Sequence, residues 1–287
     1  MSEYELISQE IERVALGIGI PPCPGILLEL TSETKKEEPD FSKVEKLVSQ
    51  DVGLSACLLK MVNSPFYGLR NKVNSVSQAV ALLGLSMLSK TVAGLVLRKV
   101  FSDKDQVSME RFWDSSAKLA LVTMYIAKKV PGIKKDEAYT YGLFQNCGIP
   151  ILIKRFPDYK QTLDKANNSP EQKFTDIEDD MHGIDHASVG YLMTKSWNLS
   201  EVTTSAVRYH HDFAVLSSSN TDLSHETKDL IALGLLADHA VHLSSTPEKN
   251  FSLEWIKGGE LALAQLEIDE AFFHDLCEDI FDLIEVQ

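Results

Sequence analysis

Along this 287-residue chain the apolar residues recur at steps of three and four almost everywhere, and no run of alternating strand residues interrupts them. That period is the signature of helices that bury one stripe, so the pattern predicts an all-α protein. Phe41, Val44, Leu47 and Val48 share one face of a helix that Asp40 is placed to cap. A second helix is expected from Leu54 to Val62, stopping at Asn63-Ser64 because Pro65 disfavours helical geometry in the residue before it. Ser77 opens another through Leu83, Gly84 ends it as a residue of positive φ, and Ser86 caps the next, which carries Leu88, Val92, Leu95 and Val96.

The second half uses longer helices. Trp113 to Lys129 buries Leu119, Val122 and Ile126 and ends at Pro131-Gly132, and Asp136 to Cys147 ends at Gly148 and Pro150. Tyr159 to Ala166 is a short helix in a polar stretch. Asp185 caps a helix whose Val189, Leu192, Met193 and Trp197 share a face, and Ser200 caps one running to His211. By composition Ser217 to Ser224 is the best linker. A helix from about Glu226 to Leu243 follows, then a turn at Pro247. In the acidic C-terminal segment, Phe272, Phe273, Leu276, Ile280, Phe281 and Ile284 line one broad face, which is expected to pack on the body or on a partner. No repeat of fixed period appears.

Composition narrows the class of function. With 44% hydrophobic and 24% charged residues, 15 Gly and 10 Pro, the chain is globular and neither disordered nor collagen-like. Lys and Arg number 28 against 42 Asp and Glu, a net charge of −14 that repels nucleic acid and anionic membranes. Cys23, Cys57, Cys147 and Cys277 are too scattered for a cysteine-built zinc site and are expected as free thiols. The N-terminus starts acidic without a basic and then apolar leader, and apolar stretches are interrupted short of 18 residues. The expectation is therefore a cytoplasmic protein, with no nucleic acid and no membrane among its partners.

Histidines are the candidate chemistry. His182, His186, His210 and His211 fall within about thirty residues; Glu178 and His182 share a helix face, and Gly183 breaks that helix so that His182 and His186 can face one cleft. Val202, Ala206 and His210 form a stripe, which turns His210 inward and sets His211 about 100° around. Spacing leaves two readings open: hydrogen-bonded core histidines, with Glu178 fixing the tautomer of His186 or His210, or a metal site completed by Asp238 in LLADHAVHL. Other signals are weaker. Lys128, Lys129, Lys134 and Lys135 read as solvated helix ends. Gly17 and Gly19 lack the rest of a dinucleotide loop, and Ser115-Ser116 lacks a nucleophile-elbow motif.

Several motifs carry a family resemblance. IPPCP (20–24), QDVGLSACLLKMVNSPFYG (50–68) and QAVALLG (78–84) resemble the N-terminal signature of the HDOD family, the HD-related output domains of bacteria. FWDSSAKLA, GLFQNCG, DHASVGYLMTKSW and the His210-His211 pair resemble the rest of that family in order, over about residues 13 to 212. The resemblance implies an HD-like multi-helix bundle with an N-terminal helical subdomain, an extension at 1–12 and a C-terminal helical extension at 213–287 packed on the bundle. It also implies a signalling or regulatory role.

Active HD enzymes hold metal with one His, an adjacent His-Asp pair and a distal Asp. Here the first position resembles Ser115, the pair falls on Gln145-Asn146, and only Asp238 resembles a surviving ligand. Neutral amide and hydroxyl oxygens are poor ligands for zinc or iron. The resemblance thus implies a vestigial pocket of Ser115, Gln145, Asn146, Glu178, His186, His210, His211 and Asp238, with no catalytic residue, no cofactor and no metal. His186, His210 and His211 sit where the related HD-GYP branch places further ligands. The expected partners are signalling proteins and a small nucleotide, and metal-dependent hydrolysis of a nucleotide or phosphodiester is the alternative activity.

Overall fold

The computed structural model describes residues 17, 19–101, 109–217, 222–245 and 252–285, and every regular element among them is helical. In chain order these are α1 (Gly25–Thr34), α2 (Phe41–Ser49), α3 (Val52–Val62), a 3₁₀ turn at Pro65–Tyr67, α4 (Val76–Phe101), α5 (Met109–Lys129), α6 (Lys135–Phe144) and α7 (Ile149–Arg155). Then come α8 (Tyr159–Asn167), α9 (Phe174–His182), α10 (His186–Ser196), α11 (Glu201–Tyr209), α12 (Ala214–Ser217), α13 (His225–Ser245), α14 (Leu253–Gln265) and α15 (Glu270–Glu285). The expected extension at 1–12, most of the linker after Ser217 and the Pro247 turn lie outside the described residues.

Helix starts follow their local chemistry. Asp40, Asp185 and Ser200 each accept the backbone N–H three residues on, at 3.0, 2.7 and 3.2 Å. Asp51 does the same for Leu54 at 3.1 Å, so α3 starts at Val52, ahead of the expected Leu54. The break expected at Gly84 lies inside α4, where that residue has φ 70° and ψ 169°.

The chain divides into two compact units, Met1–Pro22 with Asp114–Cys277, and Cys23–Trp113 with Glu278–Gln287. α13 and α14 belong with the segment from Asp114, because α13 packs along α6, α11 and α14. The reason is compositional, since Leu230 to Ala237 and Ala240 are buried on all sides of α13, and a helix apolar all round becomes a core element. Its partner α6 is buried from Ala138 to Phe144. Gly234 lets the two approach: a Cβ there would stand 2.5 Å from the Tyr141 ring and 2.9 Å from Gln145 Oε1.

In the other unit α4 packs against α1, α2 and α3 through Val80, Leu88, Val92 and Leu97. One expectation needs correcting here. By length and composition α4 is long and apolar enough to cross a membrane, although half of its apolar window is buried in the protein. The Ser and Lys residues interrupt its apolar run without making an 18-residue window polar. Glu33 is a buried charge of this unit, 1% exposed and neutralised by Lys36 at 2.8 Å and Lys43 at 3.1 Å.

Candidate functional site

The site is built where α9 turns into α10. Gly183 closes α9 with φ 70°, a conformation glycine adopts without steric cost, and the chain reverses so that Glu178 faces the start of α10. Glu178 is fully buried and accepts three hydrogen bonds, from the His186 backbone N–H at 3.0 Å, from His186 Nδ1 at 2.7 Å and from the Tyr159 hydroxyl. A carboxylate is well placed there, since the first N–H groups of a helix lack internal partners and carry partial positive charge. Burial opposes ionisation of Glu178, but the His186 and Tyr159 contacts override it and hold its pKa below the usual range. Burial pushes His186 down, yet the Glu178 carboxylate outweighs it and the net shift is upward.

The second histidine comes from the end of α11. This helix is anchored to α6 through Glu137, which accepts from Ser200 Oγ and Thr203 Oγ1, each at 2.6 Å. Arg208 reaches back to Asp185 and Ser188 at the start of α10. The helix stops at Tyr209, two residues short of the expected His211, and the His210 ring takes one of the orphan end carbonyls, its Nδ1 lying 2.8 Å from Val207 O. Burial first, then the neighbouring His211 and His186, drive the His210 pKa well down, so this ring is neutral.

His211 completes the group. Its Nδ1 lies 2.7 Å from Glu254 Oε2 in the first turn of α14, and Lys257 Nζ donates to Glu254 Oε1 at 3.4 Å and to Gln172 O at 2.7 Å. Phe174 covers the group, stacked on His211 at 4.8 Å and edge-on to His186 at 5.3 Å. The three histidines present ligand atoms within 4.8 Å of one another.

The structure separates the other sequence candidates. His182 leaves the cleft it was expected to share with His186: its Nε2 bonds Thr162 Oγ1 at 2.7 Å and its ring stacks on Phe156 at 4.5 Å. Ser115 is exposed on α5 rather than gathered with the histidines, and its neighbour Ser116 is the buried one. Asn146 is half-buried. Gln145 is buried beside Gly234 and Tyr141, and its Oε1 has no hydrogen-bond partner among the described residues. Asp238 stands one turn from Gly234 on α13 and makes no hydrogen bond to a described residue; burial and then Glu254 raise its pKa, while His211 pulls the other way. Tyr159, Phe174, Glu254 and Lys257 are not among the candidate site residues of the sequence, and nothing local marks them.

The HD-type donor set therefore does not fit a metal: Ser115 points to solvent-exposed surface, Gln145 and Asn146 offer amides, and Asp238 alone is a carboxylate. The three imidazoles are a different and better donor set.

Comparison with known proteins places this architecture. An uncharacterised protein of Treponema pallidum is 27% identical over 201 residues, 67% of this chain and 38% of that protein. The cyclic di-GMP phosphodiesterase CdgJ of Vibrio cholerae is 25% identical over 169 residues, 56% of this chain and 38% of that protein. This chain thus spans less than two fifths of the length of either relative. The crystal structure of an HDOD domain protein from Geobacter sulfurreducens superposes with a TM-score of 0.70 at 20% identity, covering 98% of this chain and 99% of that one, which shows a shared fold. The HDOD domain profile matches residues 20–213, about two thirds of the sequence, and the chain belongs to the HDOD family.

Proposed function

We propose that this chain is a cytoplasmic regulatory module of signal transduction that works by binding, to protein partners or to a small nucleotide, and does not hydrolyse phosphoesters. The observation that carries the reading is the amide pair Gln145-Asn146 in the place of a His-Asp pair, with Gln145 Oε1 beside Tyr141 and unbonded among the described residues. Hydrolysis in HD enzymes needs a cation to lower the pKa of a bound water, and an amide neither holds such a cation firmly nor bridges it to a second one.

The alternative, a metal-dependent phosphohydrolase of a nucleotide or phosphodiester, draws support from the name of the Vibrio cholerae relative. Steady-state assay of the purified full chain, supplemented in turn with Mn²⁺, Fe²⁺ and Zn²⁺, separates the two on bis(p-nitrophenyl) phosphate and on cyclic and linear dinucleotides. The regulatory reading expects no turnover, together with a raised melting temperature for a bound nucleotide or capture of a defined protein partner. Metal-dependent turnover abolished by Asp238→Asn would overturn it.

A further inference from the structure

We propose that α3 and the loop at 68–75 form an interaction surface for a second copy of this chain, whose acidic helix α15 docks along it. Residues 52–101 hold six of the 28 basic side chains, Lys60, Arg70, Lys72, Lys90, Arg98 and Lys99, and none of the 42 acidic ones. In a chain of net charge −14 that stretch is a local reversal of sign. Asp51, just before it, pairs with Lys99.

The surface is held in shape by its own hydrogen bonds. On α3 Leu54, Leu58 and Val62 are buried, while Val52, Ala56 and Lys60, four residues apart, form an exposed stripe with Gly53 and Cys57 beside it. Val52 is 81% exposed. Asn63 ends the helix and uses its amide as a peptide group would. Its Nδ2 donates to Leu59 O and Val73 O, and its Oδ1 accepts the Val73 N–H, each at 2.8 Å. That clamp sets the exposed Arg70 and Lys72 at the Lys60 end of α3. The surface is thus apolar at the start of the helix and cationic at its end.

The complement lies on α15. Phe272, Asp275, Asp279 and Asp282 recur at steps of three and four along an exposed face, away from the buried Phe273, Cys277 and Ile280. Phe272 is 37% exposed. Val52 and Lys60 are about 12 Å apart along their helix, and Phe272 is about 10 Å from Asp279 and about 15 Å from Asp282 along its own. With the two helices parallel, Phe272 of one copy covers Val52 of the other, and Asp279 and Asp282 meet Lys60, Arg70 and Lys72.

Charge selects this occupant. Duplex nucleic acid and anionic bilayers are extended polyanions that also meet the acidic remainder of the chain, whereas a single helix face engages the basic patch alone. Repulsion between the net charges of two copies is screened beyond about 8 Å in physiological salt, so the side chains that face one another decide. Each copy offers both halves, and two such contacts close a dimer.

The contact neither needs nor excludes phosphoester turnover, and its test reads mass. Light scattering of the full chain during gel filtration in physiological salt is expected to give a mass that rises with concentration above the 32.0 kDa of one chain. Reversing the patch in K60E/R70E/K72E, or the helix in D275K/D279K/D282K, should weaken association at least about tenfold, because like charges then face each other. Val52→Ser should weaken it with no change of charge. An equimolar mixture of the two charge-reversed variants should recover the dimer, since every contact in it pairs opposite signs. All these positions are exposed, and a wild-type melting temperature shows that a variant folds. Should a triple variant not fold, Lys60→Glu mixed with Asp282→Lys decides.

A wild-type mass fixed at one chain, or association undiminished in K60E/R70E/K72E, overturns the contact. Association that the mixture of variants does not restore overturns α15 as the occupant. A monomer that binds duplex DNA or phosphatidylserine vesicles, and loses that binding in K60E/R70E/K72E, assigns the patch to phosphate and overturns the contact as well.

Discussion

His186 and His210 meet through their Nε2 atoms at 3.2 Å while each ring spends its Nδ1 on an oxygen. With both rings neutral, two lone pairs would point at each other, so something positive belongs between them. Without a cation that is the proton of His186, whose pKa Glu178 lifts against the effect of burial, donated to a His210 held neutral. The contact thus joins the start of α10 to the end of α11.

Glu178 organises the site. Glu178→Ala leaves the Tyr159 hydroxyl and the His186 ring and N–H buried without their acceptor. Losing one partner of a buried charged network is expected to cost roughly 3–5 kcal/mol, measured by urea unfolding. Tyr159→Phe, which removes one donor and keeps the ring, should cost only about 1–2 kcal/mol. Equal effects of the two variants would show that the carboxylate is not the hub.

Gly234 sets the distance between the two central helices of its unit. A Cβ at this position meets Tyr141 Cε1 at 2.5 Å and its hydroxyl at 2.7 Å. Gly234→Ala is expected to destabilise by roughly 1–3 kcal/mol through overpacking, despite alanine's better helix propensity. A thermal melt showing stabilisation would contradict the packing described.

Trp197 fastens the Pro-rich segment. Its Nε1–H donates to Pro21 O at 3.1 Å, although the two residues are 176 apart in sequence. Trp197→Phe should lose about 1 kcal/mol for the hydrogen bond, with some further loss for the smaller ring. Limited proteolysis should then cut near Pro21 faster than in the wild type.

Glu33 gives the other unit an acid-sensitive anchor. Its pKa falls from 4.5 to about 2, through hydrogen bonds from Lys36, the Asp40 N–H and Lys43. A depressed folded pKa means stability that is complete above pH 4.5 and is lost as pH falls towards about 2. Glu33→Gln should therefore melt at lower temperature than the wild type at pH 6, with the gap closing as the pH approaches 2. A gap that persists at the lower pH would assign the effect to packing.

What the sequence determined by itself is what neighbours along the chain decide. Asp40, Asp185 and Ser200 cap their helices because the N–H they satisfy lies three residues ahead, and the 3.6-residue period needs only a local window to be read. The family motifs, and with them the loss of the His-Asp pair at Gln145-Asn146, are legible for the same reason. Tertiary structure alone chose which histidines gather. His182 and His186 are four residues apart, yet one turns to Thr162 and the other to His210, because Gly183 reverses the chain between them. Glu254 reaches His211 across 43 residues and Tyr159 reaches Glu178 across 19, pairings that follow from which helix faces pack together and leave no periodic trace in the chain.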